Sequence, residues 1–233
     1  MLTLSIDTST LTCSVAVTDE EKLLGQQVIN TKSTHSQKLL PCIHSLLENL
    51  NITLKDIDLI GVAKGPGSFT GLRIGMATAK GLAFGLNIPI VGICSLKALA
   101  YSSNVFENLV VPIFNARRNQ VYGAIYSYEQ DLYTEKLAPQ SIKLEELLDK
   151  ILYLEKKAVF LGDYLESFDS QIQNELGEKG FYVLPQNLTP RASSVGFLAY
   201  NYFKDKGEDN ISNLNVEYLR LAEAQRKLLA SKS

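Results

Sequence analysis

Lys64-Gly65-Pro66-Gly67-Ser68-Phe69-Thr70-Gly71-Leu72-Arg73-Ile74-Gly75 is the stretch around which the chain is organised. Ahead of it, residues 57–63 form a short β-branched and apolar run (Ile57, Leu59, Ile60, Val62, Ala63), which predicts a buried strand entering a tight turn. Behind it, small residues continue to about Leu86 with helical periodicity. The predicted order is strand, glycine loop, helix.

A glycine loop at a helix N-terminus offers backbone N–H groups and the positive end of the helix dipole to an anion. The spacing fits neither named phosphate motif. Gly71 is followed by Leu72 and Arg73 where a Walker A loop requires Lys and Ser/Thr, and Thr70 stands where the dinucleotide fingerprint requires its last glycine. A structural turn is therefore the stronger expectation. In the helix, at about 100° per residue, Gly71, Gly75 and Ala79 share one face and Ala77, Gly81 and Gly85 another, so close backbone packing is expected on two sides. Arg73, Lys80 and Asn87 recur every seven residues as a narrow polar stripe flanked by Met76, Ala83 and Phe84. That strip is either the edge of the core packing or a face that meets another protein.

The 233 residues suffice for one large domain or two small lobes. With 45% hydrophobic and 21% charged residues and a net charge of −2, the composition is that of a soluble globular protein without the basic field of an unaided nucleic-acid binder. No apolar run reaches membrane-spanning length and the chain enters a strand at once, so a cytoplasmic protein with no membrane contact is expected. Cys13, Cys42 and Cys94 lie far apart in apolar segments, as expected of reduced thiols. Together with His35 and His44 they lack zinc-ligand spacing.

From the N-terminus, alternation predicts strands at Leu2–Ile6, Cys13–Thr18 and Leu23–Asn30, an antiparallel meander. A helix capped near Ser33 or Thr34 follows, with Leu39, Ile43, Leu46 and Leu50 on its core face and Leu40, His44 and Leu47 turned away from the centre of that face. After the organising helix come a strand at Ile88–Cys94 and a short helix begun by Ser95. The order then repeats: strands at Val110–Phe114, Gln120–Tyr128 and Tyr133–Leu137, a helix at Leu144–Leu154, a strand at Ala158–Leu161, a helix at Leu165–Leu176, a strand at Phe181–Leu184 and a helix at Ser193–Phe203. Two lobes are expected, 1–104 with the glycine-rich loop and 105–233.

Two lobes of three-strand meander, helix, strand, helix resemble the two-lobed actin-like ATPase (ASKHA, ribonuclease H-like) α/β fold. In that fold the first turn of each lobe grips nucleotide phosphate. Asp7, Thr8 and Ser9 resemble such a turn in vestigial form, because the counterpart carries Asn115 in place of Asp, and Gly162-Asp163-Tyr164 lacks the glycine that should follow. Within the fold, Ile6-Asp7-Thr8-Ser9, His35-Ser36, Leu39-Leu40-Pro41, the Gly65–Gly75 run, Ser95-Leu96 and Tyr218-Leu219-Arg220 occur in the order seen in the TsaB (YeaZ) family of tRNA threonylcarbamoyladenosine biosynthesis proteins. The likeness is strong in the first lobe and one of pattern in the second, where Asn115 and Asn215 depart from the family's habit.

The resemblance implies a non-catalytic paralogue of the TsaD-type transferase. TsaD carries two metal-binding histidines four residues apart where this chain has Ser95 and Leu99, and no His-Glu-x-x-His motif is present. It further implies a heterodimer with TsaD, a TsaE-type ATPase as a third component, a homodimer when TsaD is absent, and tRNA reached through the complex. No cofactor is expected on this chain, with ATP and metal held by the partners. The implied interface is Leu40, His44, Leu47, Leu72, Arg73, Met76, Lys80 and Ala83. A small-molecule kinase or ATPase of the same fold is the alternative, and a self-contained homodimeric binding module a third possibility. Arg117 and Arg118 form either a solvated turn or a tRNA phosphate contact.

Overall fold

The structure, a computed structural model, describes residues 1–30, 34–103, 107–117, 119–129, 132–163 and 165–219. The first sheet contains β1 (Thr3–Asp7), β2 (Thr12–Thr18), β3 (Leu23–Asn30), β4 (Leu59–Gly65) and β5 (Ile90–Cys94), in the order β3-β2-β1-β4-β5. Helix α1 (His35–Asn49) follows the meander, α2 (Phe69–Leu86) joins β4 to β5, and α3 (Ser95–Tyr101) follows β5. The second sheet contains β6 (Leu109–Asn115), β7 (Gln120–Glu129), β8 (Leu132–Lys143), β9 (Ala158–Leu161) and β10 (Gly180–Tyr182), in the order β10-β9-β6-β7-β8. Its helices are α4 (Leu144–Tyr153) and α5 (Asp169–Leu176), and α6 (Ala192–Lys206) comes last.

Read from the meander edge, both sheets run third, second, first, fourth, fifth strand. Antiparallel pairs build the meander and parallel pairs the other half. The expected duplication of element order is therefore a duplication of topology, and the chain has the two-lobed actin-like α/β fold.

Leu4, Ile6, Val15 and Val17 meet Leu39, Ile43 and Leu46 of α1 and Met76, Ala79 and Ala83 of α2 in the first core. The opposite face of β1, with Thr3, Ser5 and Asp7, is buried as well. Its small polar side chains let α6 come in closely: a Cβ on Gly196 would lie 2.7 Å from Thr18 Oγ1, and one on Gly61 would lie 3.0 Å from Ala199 Cβ. The first amides of α6 are satisfied from the sheet, Ala192 N donating to Ser14 Oγ at 2.9 Å and Ser193 N to Gln26 Oε1 at 3.1 Å.

The expected division 1–104 and 105–233 follows the sheets but not the helices. Helix α6, late in the chain, packs on the first sheet, with Val195 and Ala199 among Leu59, Ala63 and Val91. Helix α3, from the first half, packs on the second, Leu96 and Leu99 meeting Val110, Phe114, Ala124 and Tyr126. Each half thus lends a helix to the other's sheet. Residues 207–219 then run back over the first lobe as a strap. Gly92 N donates to Asp209 Oδ2 at 2.8 Å, Leu214 is buried in the first core, and Glu217 N donates to the Lys64 carbonyl at 2.7 Å.

Thr34 stands at the N-cap of α1 without a side-chain cap bond, while the alternative cap Ser33 lies outside the described residues. Pro41 sits inside α1 in its second turn. Replacing Leu214 with Ala removes the strap's apolar anchor and is expected to lower unfolding stability by about 2–4 kcal/mol, measured as a shift in the urea midpoint at unchanged slope.

Candidate functional site: the first turn, the glycine loop and an open helix face

The turn between β1 and β2 and the glycine loop between β4 and α2 are packed into one another. Thr8 Oγ1 donates to the Gly71 carbonyl at 2.8 Å, and Ser68 N donates to the Ser9 carbonyl at 2.6 Å. A Cβ on Gly67 would lie 2.2 Å from the Ser9 carbonyl oxygen. On Gly71 it would lie 2.2 Å from that of Thr8, and on Gly75 2.3 Å from Thr8 Oγ1. Gly67 also has φ +156°, within reach of few side chains. The glycine spacing is thus a fit to backbone and hydroxyl, with Thr8 and Ser9 packed against the glycine loop. Ser68 Oγ accepts from Gly71 N at 3.3 Å as the N-cap of α2.

Asp7, Thr8 and Ser9 are all buried. Asp7 Oδ1 accepts from Ser9 N at 2.9 Å and from Ser9 Oγ at 2.6 Å, whereas Oδ2 has no partner among the described residues. Burial pushes the Asp7 carboxyl up to about 6 against the pull of the Ser9 hydrogen bonds, and Asp163 adds a smaller upward push. Asp163 belongs to the second lobe and is bonded by the Thr10 hydroxyl and the Leu11 amide, and burial raises its pKa too. Opposite Thr10, His35 Nε2 lies 2.9 Å from the carbonyl oxygen. The hydroxyls expected to face phosphate are spent inside the protein, and Asp7 is a buried carboxylate near a second one across the lobes.

Asn115, the counterpart of Asp7, is exposed, its Oδ1 accepting from Arg117 N at 2.7 Å in a local turn. Arg118, Tyr164 and Arg220 lie outside the described residues. Ser95 and Leu99 are fully buried: Ser95 Oγ accepts from Gly65 N at 3.1 Å, and Leu99 packs under the second sheet. Neither offers a nitrogen ligand, and among the described residues no group of three or more His, Cys, Asp or Glu is placed to hold a metal ion.

Of the expected interface residues, Leu40 is 56% exposed, and His44 is exposed beside Glu48, their side chains 3.8 Å apart. Four others require correction. Leu47, Leu72, Met76 and Ala83 are buried, Met76 only 5% exposed, because α1 and α2 turn wider faces toward the sheet than the spacing suggested. Arg73 and Lys80 are held by the strap: Arg73 Nε donates to Tyr218 Oη at 2.8 Å, and Lys80 Nζ donates to the Leu214 carbonyl at 2.7 Å. The Arg73 guanidinium lies 3.8 Å from the Phe69 ring centroid, and Phe69 and Tyr218 have centroids 4.9 Å apart.

The face that α2 leaves open is the one expected to be packed. Ala77, Gly81 and Gly85 are exposed, no described residue lies within 4 Å of a Cβ on either glycine, and Phe84 beside them is 81% exposed. Small residues four apart suggest close helix packing, which the described residues do not supply here.

The fold and the glycine-loop architecture define a class. A family model described as tRNA N6-adenosine threonylcarbamoyltransferase, TsaD, matches residues 22–224. A Bacillus subtilis protein, "tRNA threonylcarbamoyladenosine biosynthesis protein TsaB", is 37% identical over 99% of both chains, and the Escherichia coli protein of that name is 28% identical over 98% of both. A solved Pseudomonas aeruginosa structure described by similarity to peptidase YeaZ superposes with a TM-score of 0.78 at 25% identity, covering 94% of this chain and 99% of that one. The chain belongs to the TsaB family.

The raised Asp7 pKa fixes a pH signature. A carboxyl raised from 3.8 to about 6 in the folded protein contributes stability that is fully present below 3.8 and lost as pH rises through about 6. Asp7→Asn keeps an acceptor for Ser9 and removes the buried charge. Its melting temperature relative to wild type is expected to climb between about pH 4 and pH 7, corresponding to up to about 3 kcal/mol. A difference that stays flat across that range would show that Asp7 is not the group responsible.

Proposed function

We propose that the chain is a non-catalytic subunit that binds and activates a TsaD-type transferase during threonylcarbamoyladenosine formation next to the tRNA anticodon, docking through the open face of α2 and the adjoining Leu40–His44 side of α1. The supporting observation is the unpartnered Ala77, Gly81, Phe84, Gly85 face. An interior helical glycine costs about 1 kcal/mol relative to alanine, and no described residue packs on Gly81 to offset that cost. A partner helix crossing there can approach closely, and burying Phe84 contributes about 1.5–3 kcal/mol. The full-length relatives named for threonylcarbamoyladenosine biosynthesis point to the same pathway.

In this scheme ATP and metal belong to the partners, a TsaE-type ATPase is the third component, and tRNA is reached through the assembly. The same α2 face supports a homodimer when the transferase is absent. The protein works in the cytoplasm. The bonds of Thr8 and Ser9 to the glycine loop speak against a kinase or ATPase role.

Threonylcarbamoyl transfer by the TsaD-type paralogue of the same organism, assayed with and without this chain, tests the proposal: dependence on the chain is expected, and equal transfer without it would refute the role. Phe84→Glu should weaken the hetero-complex at least about tenfold in a titration while leaving circular dichroism unchanged. Met76→Glu, by contrast, puts a charge into the first core and should unfold the lobe. Normal binding by a folded Phe84→Glu protein would clear α2 of this role.

A further inference from the structure

At the end of β2 remote from Asp7, a cleft of about 420 Å³ opens where the two halves meet. On one side stand Tyr101 of α3 and Tyr128 and Tyr133 of the β7–β8 hairpin; on the other stand Phe197 of α6 and Glu20 and Glu21 of the β2–β3 turn. Tyr133 is central, its ring centroid 5.9 Å from that of Tyr101 and 5.1 Å from that of Tyr128, the latter pair edge to face. Its hydroxyl donates to the Ser103 carbonyl, which ties the ring to the end of α3. No lysine or arginine is among the described lining residues.

Aromatic faces carry a negative quadrupole and attract cations, so three tyrosines, a phenylalanine and two carboxylates give the cleft one electrostatic sign. Glu20 is already engaged, with the Met1 ammonium 3.3 Å away. The Tyr200 hydroxyl bonds Glu20 as well. Glu21 is exposed and makes no ion pair among the described residues, leaving its charge available. The volume falls in the range of small-molecule sites. Phosphate and carboxylate ligands are repelled by Glu21, and a neutral ligand leaves its charge uncompensated.

We propose that this cleft binds a small organic cation, an ammonium or guanidinium group on a short aliphatic stem, with the charge at Glu21 and the stem along Tyr133 and Tyr128. Because the walls come from both halves of the chain, the ligand bridges them and stabilises the folded protein. The site is separate from the α2 face, so it stands or falls independently of partner docking.

The test uses the full chain and a matched pair of probes, n-pentylguanidinium and its neutral isostere n-pentylurea, titrated at about 0.15 M salt to suppress non-specific surface attraction. Expected are saturable amide and tyrosine-ring NMR shifts confined to residues around Tyr101, Tyr128, Tyr133 and Glu21, and binding of the guanidinium at least about tenfold tighter than the urea. Glu21→Gln, an exposed substitution, should remove most of that preference, and Tyr128→Leu should weaken both probes. Equal binding of the two probes, shifts located elsewhere, an unsaturable response, or a preference that survives Glu21→Gln would each overturn the proposal.

Discussion

The Thr8 hydroxyl donating to the Gly71 carbonyl, with Ser68 N donating to the Ser9 carbonyl beside it, joins the first turn of the chain to the start of its longest helix. The joint sets the position of α2 over the sheet. Any side chain at Gly67, Gly71 or Gly75 would drive the loop off the turn, so the axis of α2 is fixed to within a few tenths of an ångström by hard contacts. Once α2 is placed, Leu72, Met76, Ala79 and Ala83 reach the core and Ala77, Gly81, Phe84 and Gly85 are turned outward. The same contacts that join the turn to the loop orient the outward face of α2.

A second constraint is the exchange of helices between the halves. Helix α3 seals the second sheet and α6 the first, so neither sheet keeps both its covers if the halves separate. The strap adds to this. Leu214 lies 2.6 Å from where a Gly92 Cβ would be, and the Glu217 carbonyl oxygen lies 2.5 Å from that of Gly65. The ion pair of Lys64 with Glu217 at 2.7 Å is partly exposed and contributes little by itself. The strap's hold comes from Leu214 and from main-chain hydrogen bonds, and it carries Tyr218 to Arg73 at the first turn of α2.

What the sequence made legible follows from which contacts are local. Alternation in β1 and β2, the glycine loop and the 3.6-residue periodicity of α1 and α4 are short-range patterns, and the elements they announced are present. The resemblance of Asp7-Thr8-Ser9 to a phosphate turn is legible locally, but the bond of Thr8 to α2 depends on a hydroxyl meeting a carbonyl 63 residues away. The burial of Met76 and Ala83 was missed for a related reason: a polar residue every seventh position marks a stripe, and Arg73 and Lys80 were polar because a strap from the end of the chain bonds them. Nothing local in residues 207–219 declares that they return to the first lobe, and the tyrosine cleft draws on α3, α6 and two hairpins at once.

Two glycine faces on one helix have opposite fates, and the difference bears on function. Gly71 and Gly75 are repaid within the chain by contact with Thr8, whereas no described residue lies within 4 Å of a Cβ at Gly81 or Gly85. If selection acted on the isolated subunit alone, alanine at both exposed sites would add helix stability at no steric cost. The glycines are intelligible where another backbone crosses α2 too closely for a methyl group. Phe84 fits the same condition, since a phenylalanine so exposed contributes nothing to this lobe and a great deal to a surface that closes over it.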